Sequence, residues 1–396
     1  MAYDYSDKYL WDLIPKGEAM GIPEMPDAPA GGQKRAPVSI REKLLASNDP
    51  NIDYDRIINS PVGETYITHQ RLHILYEDEM DPEVLKYWEN CEKGLRKELR
   101  RTEVHYERYA VYIPLSAYKP ENAGRKYPLL FVLPGGYQKR RSSIFTIEGN
   151  GFVHLAAREE IITVLPQNSD IDNVIDILHE VEAEYPTDPS RVYCTGYSQG
   201  GRHTNGVTVA YRKYFAAAVC GGNHAFPLPD CRFITEQEIE DCHDIDLPVM
   251  MIAGQWEAGR MYPFYHTDIN KGFAPPVNDK KLSVPQNAVM KVGALNVRLW
   301  TSRCPQVTFE QCAAAEFSDD PVERTIGAPF DRTEVREILT FKHYIGDFKN
   351  VDGNYHLRFV CYENMPHMAM PTIPDLAWEF MKGYARNRET NELINL

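Results

Sequence analysis

Short apolar runs recur along the chain from about residue 106, and most are followed by a stretch whose apolar positions fall at helical spacing. Continuous or alternating apolar character predicts strands over 106–114, 127–133, 161–165, 191–195, 215–219, 249–253 and 357–362. Helical spacing predicts helices over 151–159, 174–185, 202–214 and 374–386. An earlier charged helix is expected to start at Asp81-Pro82-Glu83, with proline in its first turn, and to run to about Arg101. Strands apolar on both faces, alternating with helices, imply an α/β fold: a mostly parallel central sheet with helices on both faces. Residues 1–100, which open with the proline-rich Pro23-Glu24-Met25-Pro26, read as an N-terminal extension to a domain over 101–396. Between 260 and 355 the rhythm breaks, so that interval is expected to be an inserted cap.

One turn carries chemistry. Gly196-Tyr197-Ser198-Gln199-Gly200 stands between a predicted strand and a predicted helix, the context of a nucleophile elbow. Such a turn lifts Ser198 Oγ out of the sheet and aims a helix N-terminus at the reacting centre. A serine hydroxyl needs a base, and the base an orienting acid, in chain order Ser, acid, His. His367, past the strand over 357–362, is the expected base. Glu257, past the strand over 249–253, is the first choice of acid, with Asp268 and Asp230 left open. The oxyanion needs two backbone N–H donors. Gln199 supplies one, and Gly136, with Tyr137 as second choice, the other. Tyr137, Trp256, His224 and Tyr262 are expected to touch substrate, and Tyr262, Phe264, Trp300 and Phe330 to wall an acyl pocket in the cap.

Composition narrows the partners. A net charge of −14 disfavours nucleic acid and anionic membrane surfaces. No apolar run approaches the roughly 18 residues of a membrane span. The first residues show neither a basic nor an apolar region, so no export signal is visible and a cytoplasmic chain is expected, although a trimmed leader would leave the same sequence. The 8 cysteines show no metal spacing, and Cys194, Cys220 and Cys361 lie in apolar runs as small hydrophobes. His243-Asp244-Ile245-Asp246 hints at metal ligands but reads as a solvated loop, and His203 as structural, so neither metal nor cofactor is expected. A homo-oligomer is compatible with the sequence.

With these residues in place the chain resembles the α/β-hydrolase superfamily, in its polyhydroxybutyrate depolymerase-like and feruloyl esterase-like branch. The resemblance covers about 105–222, 248–257 and 356–387. Its markers are Tyr109-Ala110-Val111-Tyr112-Ile113-Pro114, Leu133-Pro134-Gly135-Gly136, and Tyr185-Pro186-Thr187-Asp188-Pro189-Ser190-Arg191-Val192-Tyr193 leading into the elbow. Two positions depart from the branch: Pro134-Gly135 stands where His-Gly is common, and Glu257 where the acid is usually Asp. The resemblance implies a serine carboxylic-ester hydrolase working through an acyl-enzyme on a small or medium ester, with an aromatic acyl or carbohydrate portion as one option. A serine peptidase or acyltransferase is the rival within enzymes. A ligand-binding protein without turnover is the rival outside them.

Overall fold

A computed structural model describes residues 52–60, 94–102, 108–135, 151–166, 170–222, 236–255, 295–296, 298–365, 369–370 and 372–396. Among them lie the strands β1 (Leu95–Arg101), β2 (Arg108–Pro114), β3 (Tyr127–Leu133), β4 (Ile162–Pro166), β5 (Thr187–Tyr197), β6 (Ala217–Gly221), β7 (Val249–Gly254), β8 (Arg332–Ile338), β9 (Phe341–Phe348) and β10 (Leu357–Tyr362). They form one sheet in the order β1-β2-β4-β3-β5-β6-β7-β10-β9-β8. The six strands from β4 to β10 across the middle run parallel. β2 joins β4 antiparallel, as β1 joins β2, and β9 and β8 extend the far side antiparallel.

Helices cover both faces, as the two-sided apolar strands require. Along β3 the side chains alternate: Tyr127, Leu129, Phe131 and Leu133 enter one core, Leu130 and Val132 the other. The first core also takes buried residues of α3 (Ile171–Glu184), α4 (Gln199–Ala210), α6 (Phe309–Ala315) and α7 (Pro321–Ile326). The second takes Ile57 of α1 (Tyr54–Ile58) and the apolar faces of α2 (Val153–Glu159) and α8 (Ile373–Met381). A further short helix, α5 (Glu236–Asp241), precedes β7. Start and stop signals are local. Asp170 caps α3 and Pro186 follows its end, while Asp320 accepts from Val322 and Glu323 N–H to start α7 at Pro321. Among the described residues no helix is long and apolar enough to cross a membrane.

Three expectations change. Residues 95–101 are not helix but the edge strand β1. Its Arg and Lys side chains suit a solvated sheet edge as well as a helix surface, so composition misleads. The expected helix over 374–386 stops at Met381; after Gly383 the chain forms β11 (Tyr384–Arg386), paired with β12 (Leu393–Asn395). Of the interval 260–355 the structure describes 295–296 and 298–355, and much of this part is scaffold: it supplies β8, β9, α6 and α7. Phe330, half-buried, packs on Phe348 and Phe359, and an added Cβ at Gly346 would lie 2.5 Å from its ring, so this side chain contributes to the packing of the sheet's far end. Trp300 lies stacked on His243, ring centroids 4.0 Å apart. Tyr262 and Phe264 lie outside the described residues.

Arg386, at the end of β11, ties the C-terminal β11–β12 pair to the segments that lead into β6 and β7. Its buried guanidinium donates to the carbonyls of Phe215 (2.6 Å), Asn391 (2.7 Å) and Asp246. Arg386→Met should leave buried acceptors unmet and lower unfolding free energy by about 2–4 kcal/mol. Urea titration checks this, and a loss within error of zero would show that the anchor is dispensable.

Candidate active site

Ser198 sits at the junction of β5 and α4 with φ 60° and ψ −119°, a backbone state that a residue with a Cβ adopts only under constraint. The constraint is visible in the glycines around it. A Cβ on Gly196 would lie 2.6 Å from Gly200 C and 2.8 Å from Leu133 O. One on Gly200 would overlap Leu133 O, and one on Gly201 would overlap Gly221 O. Backbone therefore packs on backbone where α4 crosses β3 and β6, and only glycine admits that approach. The Ser198 N–H donates to Gly221 O (2.8 Å), which fixes the turn to the neighbouring strand. Gln199 is the first helical residue, so its N–H belongs to the first turn of a helix pointing at the sheet's carboxyl edge. Gly135, after β3, reaches the same place: its ideal Cβ would stand 3.4 Å from Tyr197 O and 3.9 Å from Ser198 Cβ.

Because β3, β5, β6, β7 and β10 are parallel neighbours, their carboxyl ends share one edge. Gly136 and Tyr137 follow β3, Ser198 and Gln199 follow β5, and His224 follows β6. Trp256 and Glu257 follow β7, and His367 follows β10. Of these eight residues and Tyr262, Ser198 and Gln199 are described; Gly136, Tyr137, His224, Trp256, Glu257, Tyr262 and His367 lie outside the described residues, as do Asp230 and Asp268.

The stems leading to Glu257 and His367 are joined. Gly254 on β7 is in register with Tyr362 on β10. Beyond that pair the Gln255 N–H donates to Tyr362 O (2.8 Å), and the Asn364 N–H donates to Gln255 Oε1 (2.9 Å). Asn364 stands at φ 60°, a conformation asparagine tolerates better than most residues. Its amide exchanges two hydrogen bonds with the Asp53 backbone, receiving the Asp53 N–H at 2.8 Å and donating to Asp53 O at 2.9 Å. Arg56 on α1 adds a 2.8 Å ion pair to Glu363. Part of the expected N-terminal extension thus braces the turn three residues before His367. Sequence reasoning missed Gln255, Asn364 and Asp53; the one available signal was an asparagine, a common turn residue, directly after a strand.

The far side of the same loop is held from β9. His343 is buried beside Tyr362, its Nδ1 3.0 Å from Phe341 O and its Nε2 3.3 Å from Thr372 Oγ1. Burial, with Arg336 nearby, pulls its pKa down to about 4 against the opposing effect of the Phe341 carbonyl. Below α4, buried Arg298 donates to Asn205 Oδ1, on which Cys220 Sγ also converges. Cys194, Cys220 and Cys361 are buried free thiols, and burial raises Cys194 and pushes Cys220 up to about 12, which keeps both unreactive. His203 is buried in α4. His243 rests on Trp300, and Asp246 faces His356 at 2.6 Å. Among the described residues no cluster of three or more His, Cys, Asp or Glu could hold a metal.

Two outcomes follow from this geometry. Gly200→Ala should force α4 away from β3 and cost at least about 2 kcal/mol, as overpacking against rigid backbone does. A variant with wild-type urea midpoint and wild-type reactivity of Ser198 would contradict the close approach. His343 is neutral in the fold and has an ordinary imidazole pKa when unfolded, so below pH 6.5 the unfolded chain binds the extra proton. Its stabilisation is complete above pH 6.5 and is lost as pH falls toward 4, on the order of 3 kcal/mol in all. His343→Gln should flatten the fall in stability between pH 7 and 4.5, and equal falls in both proteins would assign the proton elsewhere.

No protein-family model matches the chain, and no curated protein matches it either. Among solved structures it is similar to a thermostable esterase at 17% identity and a TM-score of 0.34, over 52% of this chain and 52% of that one. The chain thus matches about half the length of that esterase. The feruloyl esterase module from Clostridium thermocellum, complexed with sinapinate, is similar at 13% identity and a TM-score of 0.41, over 72% of this chain and 87% of that one. Acetyl xylan esterase from Aspergillus awamori is similar at 12% identity and a TM-score of 0.40, over 72% of this chain and 99% of that one. These likenesses are too distant to assign a reaction. The sheet itself decides the fold: an antiparallel second strand, six parallel strands in the order β4-β3-β5-β6-β7-β10 and a strained serine between β5 and its helix. With that strand order and that elbow, the chain has the α/β-hydrolase fold.

Proposed function

We propose that this chain is a serine carboxylic-ester hydrolase acting on a small or medium ester. The observation that carries the reading is the strained Ser198 at the carboxyl edge, on the same edge as two strand stems that are hydrogen-bonded to each other and lead to an acid and a histidine. In this scheme Ser198 Oγ attacks the ester carbonyl carbon while His367 takes its proton. The tetrahedral oxyanion is held by the N–H groups of Gln199 and Gly136. Collapse expels the alcohol, which receives the proton from His367, and leaves an acyl-enzyme. Water, deprotonated by His367, then attacks the acyl carbonyl, and the acid leaves as Ser198 regains its proton. Glu257 accepts a hydrogen bond from the other ring nitrogen and fixes the tautomer; a glutamate can do this as an aspartate does.

An aromatic acyl group or an acetylated carbohydrate is the substrate class proposed for the first trials. Ser198→Ala should lower turnover of p-nitrophenyl esters by ~10⁴-fold or more. Glu257→Gln should lower it by ~10³- to 10⁴-fold through the wrong imidazole tautomer, with Asp268→Asn near wild type. A crippled Asp268→Asn beside an active Glu257→Gln would move the acid to Asp268. Faster release from anilides than from esters would make the chain a peptidase, and preferential transfer to an added alcohol an acyltransferase. Ester binding without turnover by the wild-type chain would overturn the enzyme reading.

A further inference from the structure

The sheet ends at β8, and no strand among the described residues pairs with its outer edge. An edge strand presents a row of N–H and C=O groups to whatever can pair with it, and soluble proteins usually blunt such edges with proline, bulges or like charges. Over Arg332–Ile338 β8 has neither proline nor bulge, its pairing to β9 being regular through all seven positions, and its four charges alternate in sign, so that they repel a neighbouring strand only in some registers. At its centre Val335 is 42% exposed, and Leu339, in the turn after the strand, is exposed as well.

A two-fold axis through Val335 would set two copies of this strand antiparallel with full overlap. Val335 then faces Val335 of the second copy, and Glu334 faces Arg336 twice, once on each side of the axis. Opposite charges directly across an antiparallel pair favour it, and like charges oppose it. The register is selective. Moving the axis to Glu334 sets Arg332 opposite Arg336, and moving it to Arg336 sets Val335 opposite Glu337. The other end of the sheet behaves differently. β1, centred on any of its three middle positions, opposes like charges: Lys97 on Lys97, Arg96 on Arg100, or Lys97 on Arg101. One edge therefore repels a copy of itself and the other matches it.

The side chains flanking the axis are already in place for this. Arg336 is held by Glu334 (3.0 Å) and by Glu379 of α8 (3.0 Å), and Thr333 Oγ1 donates to Asp320 (2.6 Å). Little rotamer freedom remains to be lost on pairing. We infer that β8 is a dimerisation edge, and that its occupant is the β8 strand of a second copy of this chain, antiparallel about Val335.

Sedimentation velocity on the full chain at micromolar concentrations tests this. The expected mass is twice the 45.4 kDa of one chain. E334R or R336E alone should weaken association roughly tenfold or more, because each turns two attractive pairs into two repulsive ones. E334R and R336E together restore opposite charges and should restore the dimer. Val335→Cys should give a disulfide-linked dimer under mild oxidation, since residues facing each other across such a pair lie within disulfide reach, whereas Leu339→Cys should not. Thermal melts of each variant separate loss of pairing from loss of fold. A monomer at every concentration, a dimer indifferent to both single reversals, failure of the double reversal to recover association in a folded variant, or V335C that stays unlinked would each overturn the inference.

Discussion

Leu133 O and Gly221 O press against α4 so closely that Gly200 and Gly201 leave no room for a Cβ. This backbone contact governs how near the helix lies to β3 and β6, and with it where Ser198 stands. The strain at Ser198 (φ 60°) is sustained because β5 on one side and the buried α4 on the other leave the linking residue no alternative. A helix packed against side chains instead would sit farther out, and its first-turn N–H groups would no longer head the sheet's carboxyl edge.

Around that fixed point the remaining parts are held by polar braces between strand ends. Gln255 and Asn364 lock β7 to β10 where the chain turns toward Glu257 and His367, and the Asp53 backbone completes the Asn364 amide. His343 and Thr372 tether the other end of the loop after β10. Such bracing costs conformational freedom and returns positional accuracy, which a site built from several loops requires. It also gives residues 52–58 a role inside the hydrolase fold, since Ile57 is buried in the second core while Asp53 and Arg56 hold the turn after β10.

The parallel core was legible in the sequence because strands such as β3 and β7 are apolar on both faces and have few other ways to be buried. The elbow was legible for a related reason: its glycines answer to steric contacts so tight that no other residue fits. What the sequence concealed was decided by longer-range partners. β1 carries Arg96, Lys97, Arg100 and Arg101 and passes for a helix until β2 is beside it. β8 and β9 mix charged, polar and apolar positions with no continuous apolar run, and their place at the sheet's end depends on β10, which comes later in the chain. Asn364 reveals its function only when Asp53, 311 residues earlier, is beside it.

Ester hydrolysis by this chain requires Ser198 to be a nucleophile and not merely a strained turn residue. Reaction of the native chain with a fluorophosphonate, followed by intact-mass measurement and peptide mapping, addresses this directly. One adduct per chain, on the peptide containing Ser198 and absent after prior unfolding, is the predicted result. An adduct on another serine, or a native chain that remains unmodified under conditions that label a known serine esterase, would contradict it.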